Sequence, residues 1–207
     1  MNTGTFPQQD ITAVFKPDDR QFENCLLIFQ KGVFLPGRSD VTVHHFLRND
    51  LNLSPEYVEN RIQTIFLNGK PVDDLLNQKM AVDSTIALSG AMPGLVGAIF
   101  RRNSAYKVFR DGISSDSDTK VTKGSSPCLF RLKLFNNIIR EVGTPLLKSG
   151  IFVKLNDFRQ YLQMSHGISE QNLEKLYIGN EEKNLSSLGH FNGIETKQLV
   201  QLRVEAF

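Results

Sequence analysis

The spacing of apolar positions along this chain switches between two periods, and each switch marks an element. Residues 62–67, Ile-Gln-Thr-Ile-Phe-Leu, are rich in β-branched and aromatic side chains and run into Asn68-Gly69. Both turn residues tolerate positive φ, so the pattern predicts a strand closing on a tight turn. Lys70-Pro71-Val72 leaves that turn as an edge segment, where proline is tolerated, and Thr85–Leu88 predicts a further strand. Upstream, Val43, Phe46, Leu47 and Leu51 make one helical stripe, with Ser39-Asp40 as the expected N-cap. Ser54-Pro55-Glu56 predicts a short second helix with proline in its first turn. Cys25–Phe29 and Val33–Leu35, on either side of Gln30-Lys31-Gly32, predict a hairpin.

The same order of elements recurs. Cys128–Phe135 predicts a strand, Asn136-Asn137 a turn and Ile138–Val142 a returning strand, with Ile151–Leu155 extending it or adding one more. Leu155, Phe158 and Leu162 predict a helix, Ser169-Glu170 a short helical turn, and Leu173–Ile178 a strand ending at Gly179-Asn180. Leu199–Val204 alternates and predicts the last strand. Phe46 and Phe158, Phe66 and Tyr177, Leu75 and Leu185, and Ile86 and Leu199 correspond at offsets of 110 to 113 residues. Few identities accompany the match, so what repeats is element order. The expected organisation is an α+β chain with one unit over residues 1–100, a Ser- and Asp-rich linker over 101–126, and a second unit over 127–207.

The run Ile65-Phe66-Leu67-Asn68-Gly69-Lys70-Pro71-Val72-Asp73-Asp74, followed by Asp83-Ser84-Thr85-Ile86-Ala87-Leu88, resembles the ubiquitin-like β-grasp family. The closer likeness is to its sulfur carriers, the small subunit of molybdopterin synthase and the thiamine-pathway carrier. It covers roughly residues 24 to 97, and Leu176–Asn180 resembles the same motif more faintly. The resemblance implies two tandem β-grasp units, each a mixed sheet packed on one main helix. It would make residues 89–97 the tail that carries sulfur. A carrier needs a free Gly-Gly carboxylate, whereas Gly94 and Gly97 are not adjacent and the chain runs on. Carrier chemistry would therefore require cleavage after Gly97.

Composition narrows the function classes. The 24 basic and 22 acidic residues nearly cancel, which argues against nucleic acid or an anionic membrane as the main partner. No run of about 18 apolar residues predicts a membrane span, and the polar start lacks the pattern of an export signal, so the expected location is cytoplasmic. Cys25 and Cys128 are expected to be buried strand residues rather than a disulfide pair. His44 and His45 point about 100° apart on a helix, and His166 and His190 stand alone, so no metal or other cofactor is expected. Asp18-Asp19, Asp73-Asp74 and Glu181-Glu182 fall in predicted turns and read as solvated, not as acid/base pairs.

The segment Leu88–Phe100 stands apart, with thirteen residues, three glycines and no charge. Its core, Met92, Pro93, Gly94, Leu95, Val96 and Gly97, is the candidate partner-binding stretch, since a glycine-containing apolar strand can lie in a partner's groove. The alternative is that Met92, Leu95, Val96 and Ile99 pack inside this chain. Arg101, Arg102, Lys107 and Arg110 follow as a charged flank able to hold a phosphate or an acidic partner. The expected function is a non-enzymatic interaction module that binds another protein through this segment or a sheet edge, where two copies could also pair. A sulfur carrier of the molybdopterin or thiamine type is the rival, and an enzyme with a site assembled from distant residues is the third class.

Overall fold

The structure is a computed structural model and describes residues 11–15, 19–110, 125–163, 173–178, 181–183 and 199–204. It is α+β. In chain order come β1 (Ile11–Phe15), α1 (Asp19–Leu26), α2 (Ile28–Lys31), β2 (Val33–Arg38), β3 (Val41–Thr42) and α3 (Val43–His45), which runs on into a π-helical turn, Phe46–Asp50. Then follow α4 (Pro55–Asn60), β4 (Thr64–Leu67), β5 (Lys70–Pro71), β6 (Lys79–Met80), β7 (Thr85–Ser89), α5 (Gly94–Phe100) and a 3₁₀ helix, Ala105–Arg110. The remainder is β8 (Pro127–Phe135), α6 (Asn137–Ser149), β9 (Ile151–Lys154), α7 (Leu155–Gln163), β10 (Leu173–Ile178), β11 (Glu181–Glu182) and β12 (Leu199–Val204).

Two compact units result. One gathers the described residues of Leu35–Val142, the other those of Pro7–Phe34 and Gly143–Phe207. The division falls within β2 and within α6. The boundaries expected near 100 and 127 both lie inside the first unit, because β7 and β8 are parallel neighbours paired from Thr85↔Arg131 to Ser89↔Phe135. The linker positions 111–118 lie outside the described residues.

The first unit orders its strands β2-β8-β7-β4-β5. The turn between β4 and β5 forms as the sequence predicts: Asn68 and Gly69 have φ of 50° and 81°, as a two-residue hairpin needs. Asn68 also caps β7, its Oδ1 accepting from the Thr85 N–H at 2.8 Å. One sheet face is core. Ile65, Leu67, Ile86, Leu88, Phe130, Leu132 and Leu134 are buried on it, and the Phe130 ring meets Phe46 edge-on at 5.4 Å. Val43, Phe46 and Leu47 are fully buried, as their stripe predicts; each large side chain so buried contributes about 1.5–3 kcal/mol. Their cap is Thr42, whose hydroxyl accepts from the His45 N–H. Ser39-Asp40 is instead a turn, with the Ser39 hydroxyl bonded by the Ser126 N–H and Asp40 at φ 65°. Ser54 caps α4 and Pro55 opens it, as expected.

Two predicted strands are helices. Cys25–Phe29 belongs to α1 and α2, because Phe22, Cys25, Leu26 and Phe29 fall on one helical face and are all buried. The hairpin predicted over Cys25–Leu35 thus does not form, and Cys25–Phe29 shares no sheet with Thr85–Leu88; the place beside β7 is taken by β8. Ile138–Val142 lies in α6, where Ile138, Ile139, Val142 and Leu147 bury one face. Asn136, at φ 55°, ends β8, and the chain turns straight into helix.

In the second unit the strand order is β11-β10-β1-β12-β9. β1 runs parallel to β12 and antiparallel to β10. The helix α7 buries Leu155, Phe158 and Tyr161, with Phe158 edge-on to Phe15 at 6.0 Å. Both units therefore hold a central parallel pair with a hairpin on one side, and a helix that follows the outer strand on the other.

Candidate functional site

The charge-free segment is built into a structure of its own. Gly94–Phe100 is helical, and with Ala105–Arg110 it forms a short helical hairpin on the first unit. Gly97 is buried at a close approach: a Cβ there would collide with the Met92 carbonyl oxygen. Gly94 has φ 76°, the conformation that opens this helix. These glycines thus fix a compact turn-and-helix, not an extended tail.

Two arginines hold the hairpin down. Arg102 donates to the carbonyls of Val58 and Ile62 at 2.9 and 3.1 Å and pairs with Glu59 at 3.0 Å. Arg110 is 1% exposed, and one guanidinium nitrogen contacts both Asp73 oxygens at 2.7 Å while another donates to the Phe100 carbonyl. The Phe100 ring meets Phe66 at 5.3 Å. The flank read as an anion site is thus partly committed inside the fold. Arg101 stays exposed, and the Lys107 side chain lies outside the description.

What the hairpin presents outward is apolar. Leu95, Val96, Val108 and Phe109 are 68%, 64%, 66% and 74% exposed, and Tyr106 is half-exposed beside Phe109. Leu95 and Val96 therefore do not pack within this unit. Met92 and Pro93 line an adjacent groove of about 610 Å³ on the outer face of the sheet, together with Phe66, Ala87, Phe135 and Lys133. Strand alternation creates this face. Phe66, Ala87 and Lys133 point away from the core that Ile65, Ile86 and Leu132 fill. The candidate site is this groove with the hairpin beside it, and among the described residues Lys133 is the one titratable side chain that lines the groove.

Sequence reasoning singled out residues 92–97 as a candidate and did not single out Tyr106, Val108, Phe109 or the groove floor. The signal for the floor was present: Ile65-Phe66-Leu67 and Leu134-Phe135 are apolar on both strand faces, more than a half-buried sheet needs.

The other candidates resolve differently. Tyr57 donates to Glu141 at 2.7 Å, and Arg61 forms an ion pair with the same carboxylate. Arg61 and then Tyr57 hold Glu141 below the usual carboxylate range, and burial followed by the Glu141 bond pushes the Tyr57 hydroxyl up. The arrangement straps α4 to α6. Both cysteines are buried, Cys25 in α1 and Cys128 in β8. Burial, then Asp83 and Asp50, push the Cys128 thiol up to about 11. His44 and His45 are exposed in α3, and His166 and His190 lie outside the described residues. Among the described residues no group of three His, Cys, Asp or Glu could hold a metal ion, and no helix is long and apolar enough to cross a membrane.

No protein-family model, curated protein or solved structure matches this chain.

Proposed function

We propose that this chain is a non-enzymatic interaction module that binds another protein through the Gly94–Arg110 hairpin and the groove beside it. The observation that carries the reading is the anchored exposure of apolar side chains. Among the described residues, five of the eight exposed large apolar side chains sit on this one hairpin, and two arginines with ion-paired guanidinia fix it to the fold. Clustered apolar exposure on a rigid support marks a contact surface, because scattered exposure needs no explanation and a loose loop could bury its own side chains. Sheet edges offer less: β5 and β11 are two residues long, one holding Pro71 and the other Glu181 and Glu182.

The units are read as β-grasp-like, each a mixed sheet on one main helix. Their common arrangement of parallel pair, hairpin and helix supports this. The first unit would be a permuted version, since β8, which follows its last hairpin, stands where an N-terminal strand was expected. The module reading is favoured over the carrier because Gly97 is buried within α5, so a protease would reach that bond only after local unfolding.

Leu95→Asp tests the proposal. The side chain is mostly in water, so the melting temperature of the variant is expected to stay near that of the parent, while capture of partners that bind the parent is lost. Loss of the fold would return Leu95 to the core, and unchanged capture would remove the hairpin from the binding surface.

A further inference from the structure

The charge around the hairpin and groove says what kind of segment they take. The chain as a whole is balanced, with 24 basic and 22 acidic residues. The stretches that form this face are not: residues 64–72, 84–110 and 125–137 contain seven basic residues and no carboxylate. Two of the seven are neutralised from outside these stretches, Arg102 by Glu59 and Arg110 by Asp73. Lys133 lines the apolar groove, Arg101 is exposed at the end of α5, and neither makes an ion pair among the described residues.

We infer that the partner supplies an acidic amphipathic peptide. One or two apolar side chains of it enter the groove over Phe66, Ala87 and Phe135, others lie against Leu95 and Phe109, and flanking carboxylates meet Lys133 and Arg101. This rests on the interaction-module reading above and gives it a chemical class. A second copy of this chain fits poorly, because the same face would bring cations against cations. A bilayer surface fits less well than a peptide, because the apolar floor is concave and of a size that takes inserted side chains.

A displayed library of short random peptides, panned on the whole chain, tests the inference. The expected survivors combine Leu, Phe or Ile with Asp or Glu, and their binding weakens as salt rises. Panning on the double variant K133E/R101E should shift the survivors toward basic flanks, and the original peptides should lose about tenfold or more in affinity for it. Survivors with neutral or basic flanks that Leu95→Asp still rejects would overturn the acidic assignment and leave the docking surface standing. Survivors indifferent to Leu95→Asp would overturn both. So would no enrichment, whether or not phosphatidylserine vesicles or oleate bind in its place.

Discussion

At the scale of single residues, Cys128 and Gly97 are each constrained by what surrounds them. Cys128 holds its proton to about 11 instead of the ordinary 9.0, first because it is buried and then because Asp83 and Asp50 oppose a thiolate. A thiolate is the reactive form, so iodoacetamide at about pH 8 should label this thiol in the denatured chain and leave it unlabelled in the native one; rapid native labelling at Cys128 would contradict the assignment. The linkage has a definite sign. The unfolded chain loses this proton first as pH rises, so the thiol's contribution to stability is present below 9.0 and is lost as pH climbs toward 11. Gly97 was legible as unusual from the absence of charge around it. Its actual constraint, the Met92 carbonyl where a Cβ would go, is a contact that no single-residue property announces.

Among the elements, those fixed by local physics were readable. The Asn68-Gly69 turn, the Ser54-Pro55 start and the stripe of Val43, Phe46 and Leu47 each depend on residues close in sequence. Cys25–Phe29 was not readable, because five apolar residues in a row show neither period; only Phe22, one turn earlier, sets the helical phase. At Ile138–Val142, Asn136-Asn137 imitated a hairpin turn, whereas the chain enters a helix that runs on through Pro145. The Arg110–Asp73 clip makes a prediction at this scale, through an asymmetry of burial. Asp73→Ala would take both 2.7 Å carboxylate contacts from a guanidinium that is 1% exposed and should cost about 3 kcal/mol. Arg110→Met leaves a carboxylate that is 37% exposed and can turn to water, and should cost about 1 kcal/mol. Urea unfolding of the two variants measures the order, and the reverse order would show that the clip does not bear on the hairpin as described.

For the whole molecule, the sequence conveyed class better than connectivity. Nothing in Pro127–Phe135 says that it lies parallel to Thr85–Ser89, because strand neighbours depend on pairing across a long connection. The groove was hidden for the same reason: its floor needs Phe66, Ala87 and Phe135 on adjacent strands. Tyr106, Val108 and Phe109 escaped because Lys107 interrupts them and a 3₁₀ helix repeats every three residues, not every 3.6. A surface that is apolar and basic together has a measurable signature in the intact chain. The native protein should bind the anionic dye anilinonaphthalene sulfonate, and Leu95→Asp or Phe109→Ser should each lower the fluorescence without lowering the melting temperature. A dye signal indifferent to both changes would place the exposed apolar surface elsewhere.

The pairing of Asp73 with Arg110 also limits how this chain can diverge. The two positions are 37 residues apart, one in the loop after β5 and the other at the end of the 3₁₀ helix, yet a lineage that loses the acid keeps a buried cation deprived of this carboxylate until the arginine goes too. Losing the arginine first is the gentler step. Substitutions should therefore accumulate in that order, with the two positions changing together more often than the exposed ones around them.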